Sequence, residues 1–194
     1  MGLRGKDAKP LSDRTLKPTR SNPWDGPDRR RSERVIAFCE DLTVTSGTAA
    51  YTKLRLRPWQ RKFIEAVYAE NKQGVRPVRT AVLSMGRKNG KSQLAAALAL
   101  CHLSGPEAES RGEVYSCAND RFQAAKIFAE MVAMINNHPW LADRVNIIRF
   151  LKQLEDLENG SIYAALSSEA KTKMGLSPSF VVYDDWAIRR SRTL

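Results

Sequence analysis

Histidine and cysteine are scarce in this chain, and long apolar runs are missing. The two histidines, His102 and His138, lie far apart without ligand spacing and read as structural residues. Cys39, Cys101 and Cys117 are odd in number and widely separated. They form neither a disulfide framework nor a metal-binding pattern, which suits a reducing cytosol. No stretch approaches the roughly 18 apolar residues of a membrane span. The N-terminus is charged but lacks the apolar centre of a secretory signal. These absences point to a cytoplasmic protein with no membrane contact, and no internal repeat suggests an array.

Positive charge is what the chain has in excess. Its 194 residues carry 32 Lys and Arg against 21 Asp and Glu, a net charge of +11. That balance favours a polyanionic partner such as nucleic acid, although a solvated basic surface gives the same composition. A hydrophobic content of 42% supports a packed core, and the length allows one ordinary domain with a tail. Residues 1–34 hold ten Lys and Arg, five Asp and Glu and four prolines, with almost no aliphatic side chains. The organisation expected is a basic flexible arm over 1–32, a domain over 33–185 and an irregular tail over 186–194.

Helical spacing begins near Ser32 and runs through Val35-Ile36-Ala37-Phe38. A second helix opens at Pro58, suited to a first turn, and carries Phe63, Ile64, Val67 and Tyr68 on one face. Short strands are expected at Ala81-Val82-Leu83, 113–117, 145–149, 161–166 and 180–183, with a turn at Glu158-Asn159-Gly160. A further helix starts near Arg121 with Phe122, Ile127, Phe128, Met131 and Ile135. Alternating strands and helices predict an α/β fold with a mostly parallel sheet flanked by helices on both faces.

Chemistry enters at Gly86-Arg87-Lys88-Asn89-Gly90-Lys91-Ser92, between the strand at 81–83 and the alanine-rich run from Leu94 to Leu100. Strand, glycine loop and helix form the context of a P-loop. Loop N–H groups and the positive end of the helix dipole cradle a polyphosphate such as that of ATP. Lys91 would reach the β- and γ-phosphates, and the Ser92 hydroxyl would sit on Mg²⁺. Three residues rather than four separate the glycines, and Met85 stands where the first glycine is usual. A Gly-Lys-Ser tripeptide alone is common by chance; its flanks give it weight.

The apolar run Phe180-Val181-Val182-Tyr183 ends in Asp184-Asp185, 93 positions beyond Lys91 (184 minus 91). A buried strand delivering carboxylates to the carboxyl edge of a parallel sheet is a Walker B arrangement. Asp184 would complete the Mg²⁺ shell and Asp185 would polarise the attacking water. Most such ATPases use glutamate there, and aspartate is one methylene shorter. The separation leaves room for intervening units, as in RecA-like and helicase-like ATPases, where another strand lies between the two motif strands.

Several stretches then resemble the large subunit of tailed-phage terminases, in family order over about residues 33–185. They are Leu56-Arg57-Pro58-Trp59-Gln60, the deviant P-loop, Ser116-Cys117-Ala118-Asn119 leading to Gln123-Ala124, Gly160-Ser161-Ile162-Tyr163-Ala164 leading to Ser167-Ser168, and Gly175-Leu176-Ser177-Pro178. The resemblance implies the ATP- and Mg²⁺-dependent motor domain that drives double-stranded DNA into procapsids in the bacterial cytoplasm. Its implied partners are the portal, the small terminase subunit and further copies of itself. Trp59 and Gln60 match the adenine-side motif, with an apolar anchor and a helix-start polar residue as the plainer alternative. Arg87 matches a phosphate-contacting arginine, or is a surface charge. The chain stops nine residues after Asp185, before the coupling strand and nuclease domain of family members. A fragment with an incomplete ATPase core, poorly active alone, is the resulting expectation. A stand-alone P-loop nucleic-acid ATPase and an inactive prophage remnant are the alternatives.

Overall fold

The most buried helix is the one whose sequence is apolar all round. It spans Lys91–Ser104 (α3) and buries Leu94 and every residue from Ala96 to Ser104. Such a helix has no solvent face and must sit at the centre of a fold. Around it the computed structural model describes residues 22, 24–26, 28–86, 88–118, 121–167 and 176–183, with backbone alone at 121–124 and 167. The remaining helices are α1 (Arg31–Asp41), α2 (Pro58–Val67), α4 (Arg121–Asn136) and α5 (Pro139–Arg144). The strands are β1 (Glu113–Ala118), β2 (Val145–Ile148), β3 (Gln153–Asp156), β4 (Ile162–Ser167) and β5 (Phe180–Tyr183).

Local chemistry starts the outer helices. The Glu33 carboxylate accepts the Arg30 N–H at 2.9 Å ahead of α1, half of a capping box. Pro58 opens α2, and Gln60 Oε1 accepts the Arg57 N–H at 2.8 Å. The predicted helices near 32, 58, 91 and 121 all form, whereas α5 was not foreseen.

The five strands form one sheet in the order β2-β3-β4-β1-β5. β1 lies parallel to β4 (Glu113 opposite Ile162) and to β5 (Val114 opposite Phe180). β3 runs antiparallel to both β4 and β2. The sheet is therefore mixed: four strands run in one direction, in keeping with the mostly parallel sheet expected, and β3 is inserted against them. β3 escapes the sequence reading because Gln153-Leu154-Glu155-Asp156 is mostly polar. Its inward-facing Asp156 is fully buried, takes Arg144 Nε at 2.6 Å, and accepts the N–H groups of Glu158 and Asn159.

All five helices join one hydrophobic cluster with Val114, Val145, Leu154 and Tyr163 of the sheet. Tyr115, Cys117 and Ala164, with Leu166 and Val181, form a smaller cluster to which no described helix contributes. Successive strand residues point to opposite faces. Among the described residues the helical layer thus covers one face of the sheet, not both.

Two further expectations change. Ala81-Val82-Leu83 is not a strand; it pairs with nothing in the sheet, and Val82 is 84% exposed. Only Leu83 packs against the core. A strand exists through its ladder, and β5, the sheet's outer member, does not pair with this segment. The basic arm is also anchored before its expected end. Trp24 is buried, edge-on to Phe38 at 4.9 Å and tilted against Trp140 at 5.4 Å.

Both histidines are structural. His138 Nε2 lies 2.6 Å from the Asp41 carbonyl; a carbonyl only accepts, so this nitrogen carries the proton. The three cysteines are buried, and no described helix is long and apolar enough to cross a membrane. Where α3 ends, a Cβ on Gly105 would stand 2.8 Å from the Cys101 backbone and 2.8 Å from Phe38. Gly105→Ala is expected to lower stability by about 1–3 kcal/mol, the cost of overpacking, as a reduced urea midpoint at unchanged slope.

Candidate nucleotide site

Backbone handedness shapes the loop between Met85 and Lys91. Lys88 has φ 63° and Gly90 has φ 76°, both left-handed. The residue at 88 holds this conformation against the Cβ penalty of about 1–2 kcal/mol, whereas Gly90 adopts it without strain. Gly90 is the N-cap of α3, and no side chain caps the helix there. The unpaired N–H groups of the first turn and the positive end of the dipole are consequently directed into the loop. That is the donor set a polyphosphate needs.

Lys91 Nζ donates to the carbonyls of Met85 at 2.8 Å and Gly86 at 3.1 Å. Asn89 Nδ2 donates to the Gly86 carbonyl at 3.2 Å. These bonds hold the ammonium over the loop. An ammonium has three N–H donors, so one remains beyond the two carbonyls. Ser92, one residue into the helix, is half-buried.

Trp59 and Gln60, expected on the adenine side, sit in different surroundings. Trp59 packs against the core. Gln60 is buried; its oxygen caps α2, and its nitrogen lies 3.6 Å from where a Cβ on Gly90 would stand. The cap role and the position beside the loop are held by the same amide, through its two ends. Arg87, Asp184 and Asp185 lie outside the described residues. Among the described residues no group of three His, Cys, Asp or Glu side chains is placed to hold a metal.

A buried contact that the sequence did not announce orients the site. His102, near the C-terminus of α3, stacks on Phe180 at the start of β5, with rings 4.0 Å apart and 9° from parallel. Its Nε2 shares a 2.9 Å hydrogen bond with the hydroxyl of Tyr68, the residue that ends α2. Asn159, ahead of β4, donates to the Leu103 carbonyl at 2.9 Å. The C-terminal end of α3 thus lies at the amino edge of the sheet. The helix passes back over β1, β4 and β5, and eleven residues at 1.5 Å each carry Lys91 about 16 Å toward the carboxyl edge. β5 ends there with Tyr183, 67% exposed and immediately before Asp184.

Burial pushes the His102 pKa down to about 3, with the Arg76 and Arg31 charges adding to the shift, so the ring is neutral. At the same end of α3, Arg31 Nε donates to the buried Glu107 carboxylate at 2.7 Å. A cavity of about 310 Å³ there is lined by Arg29, Arg31, Arg34, Glu70, Pro106 and Glu107. It lies at the end of the helix remote from the loop.

The family of the terminase large subunit, ATPase domain, matches residues 58–193. The terminase large subunit of Enterobacteria phage HK97 is 42% identical over 156 residues, covering 80% of this chain and 30% of that protein. The crystal structure of the HK97 bacteriophage large terminase superposes with a TM-score of 0.71 at 43% identity, covering 80% of this chain and 31% of that one. The chain therefore spans about a third of the length of these relatives. On the extent of that match, the chain belongs to the terminase large subunit family, through its ATPase domain.

Proposed function

We propose that this chain is the nucleotide-binding part of a RecA-like DNA-packaging motor, taking ATP at the loop from Gly86 to Ser92. The observation that carries the reading is the uncapped N-terminus of α3 behind a left-handed Gly90, with the Lys91 ammonium tethered above it. Gly86, Lys88, Asn89 and Gly90 shape the loop, Arg87 adds positive charge, and Lys91 meets the β- and γ-phosphates. Trp59 and Gln60 are assigned to the base side, supported by the approach of Gln60 to Gly90.

Mg²⁺ would be held by Ser92 and Asp184 and would neutralise charge developing on the phosphates. The helix-start hydroxyl suits that ligand set, and the order Tyr183-Asp184 at the end of β5 supplies the carboxylate. Asp185 is assigned the water-polarising role. The partners proposed are double-stranded DNA, the portal, the small terminase subunit and other copies of the chain.

The test is binding of a fluorescent ATP analogue with and without Mg²⁺. The parent chain is expected to bind in both conditions and more tightly with the metal. Ser92→Ala should retain the metal-free affinity and lose most of the Mg²⁺-dependent gain. A parent chain that binds no nucleotide would overturn the assignment.

A further inference from the structure

The most exposed large apolar side chain described is Phe150, at 90%, with Leu151 beside it at 53%. Both sit at the tip of the β2–β3 hairpin, in the sequence Arg149-Phe150-Leu151-Lys152. A solvent-facing turn is ordinarily polar, and apolar side chains presented this way mark a contact surface. Charge identifies the kind of partner. From Val145 to Leu154 there is no carboxylate, and two cations flank the apolar pair.

The topology aims this tip. β3 is antiparallel to β4, with Gln153 opposite Ala164, and the Ala165 N–H donates to the Lys152 carbonyl at 3.2 Å. The turn therefore stands at the carboxyl ends of β4, β1 and β5, the edge toward which Lys91 and Tyr183 point. β4 and β1 separate β3 from β5, so three strand spacings place the tip about 14 Å along that edge from the end of β5.

We infer that the β2–β3 hairpin tip is a duplex-DNA contact, with Phe150 and Leu151 set against sugar edges in the minor groove and Arg149 and Lys152 on the flanking phosphates. Proteins that bind the minor groove combine Arg and Lys with apolar side chains and read only its degenerate A·T-versus-G·C pattern, and phosphate contacts hold register without reading bases. The inference rests on the proposed DNA-motor reading and adds the element that touches the DNA.

The experiment titrates the full 194-residue chain with a labelled mixed-sequence duplex at several salt concentrations. Phe150→Ser is expected to weaken binding about tenfold, the scale of the apolar area one phenylalanine ring removes from water on contact, with an unchanged melting temperature because the ring is exposed. Arg149→Ala is expected to reduce the log–log salt slope by about 0.9. If the parent binds and both variants match its affinity and slope, the hairpin is not the contact, while the DNA reading stands. If Phe150→Ser leaves DNA binding intact but abolishes self-association, the tip meets a second copy and the inference fails. A parent chain that binds no duplex at low salt would remove both the reading and the inference.

Discussion

Replacing Lys91 with alanine is expected to lower ATP affinity about 10- to 150-fold, the range set by a charge-assisted hydrogen bond of roughly 1.5–3 kcal/mol. The side chain is positioned for that loss to be large. Two of its donors already reach the Met85 and Gly86 carbonyls, so the ammonium is ordered before phosphate arrives. Little rotamer entropy then opposes binding. The backbone donors at the start of α3 do not depend on this side chain, which is why residual affinity is expected rather than none. Lys91→Arg should not rescue fully, because a planar fork cannot place a compact charge over the loop. Titration calorimetry decides the matter, with thermal melts alongside. Lys91 is not a core residue, so its melting temperature should stay close to the parent's. Unchanged ATP affinity in a folded Lys91→Ala chain would reject the loop as the nucleotide site.

How much of this was legible depended on whether a signal was local. α1, α2, α3 and α4 each carry apolar spacing that a neighbouring sequence does not alter, and α3 announces its burial by being apolar on every side. The loop before α3 stands out in the sequence through glycine and lysine at fixed spacing, and its nucleotide role is the proposal made above. Pairing was not legible. Ala81-Val82-Leu83 has strand composition, yet it has no ladder partner in the sheet, and composition cannot report a missing neighbour. β3 failed in the opposite sense: a polar segment became a strand because Arg144 compensates the buried Asp156 and the two flanking strands supply its backbone partners. Trp24 sat in a stretch whose charge and prolines suggested an unanchored arm, and its pocket is made by Phe38 and Trp140, from distant parts of the chain. The same limit hid the link from His102 to Phe180 and Tyr68, which ties the loop helix to β5 and α2. Each of those residues looks ordinary where it stands.

That link is expected to make the domain acid-sensitive. His102 has a folded-state pKa lowered from 6.5 to about 3, first by burial and then by the Arg76 and Arg31 charges. Above pH 6.5 the ring is neutral in both states and contributes no pH dependence. Below it the unfolded chain takes up a proton that the folded chain refuses, so stability falls as the pH drops from 6.5 toward 3, at up to about 1.4 kcal/mol per pH unit. Between pH 7 and pH 5 the loss from this one residue is about 2 kcal/mol, equivalent to roughly 4–8 °C in melting temperature for a domain of this size. His102→Gln cannot titrate, and its amide can still meet the Tyr68 hydroxyl. Its midpoint should be lower at pH 7, because the stack on Phe180 is weakened. Its fall between pH 7 and pH 5 should be smaller than the parent's by that 4–8 °C. Parallel pH profiles for parent and variant would show that the buried ring is not the source of the acid sensitivity. A converging pair would place it at the junction of α2, α3 and β5.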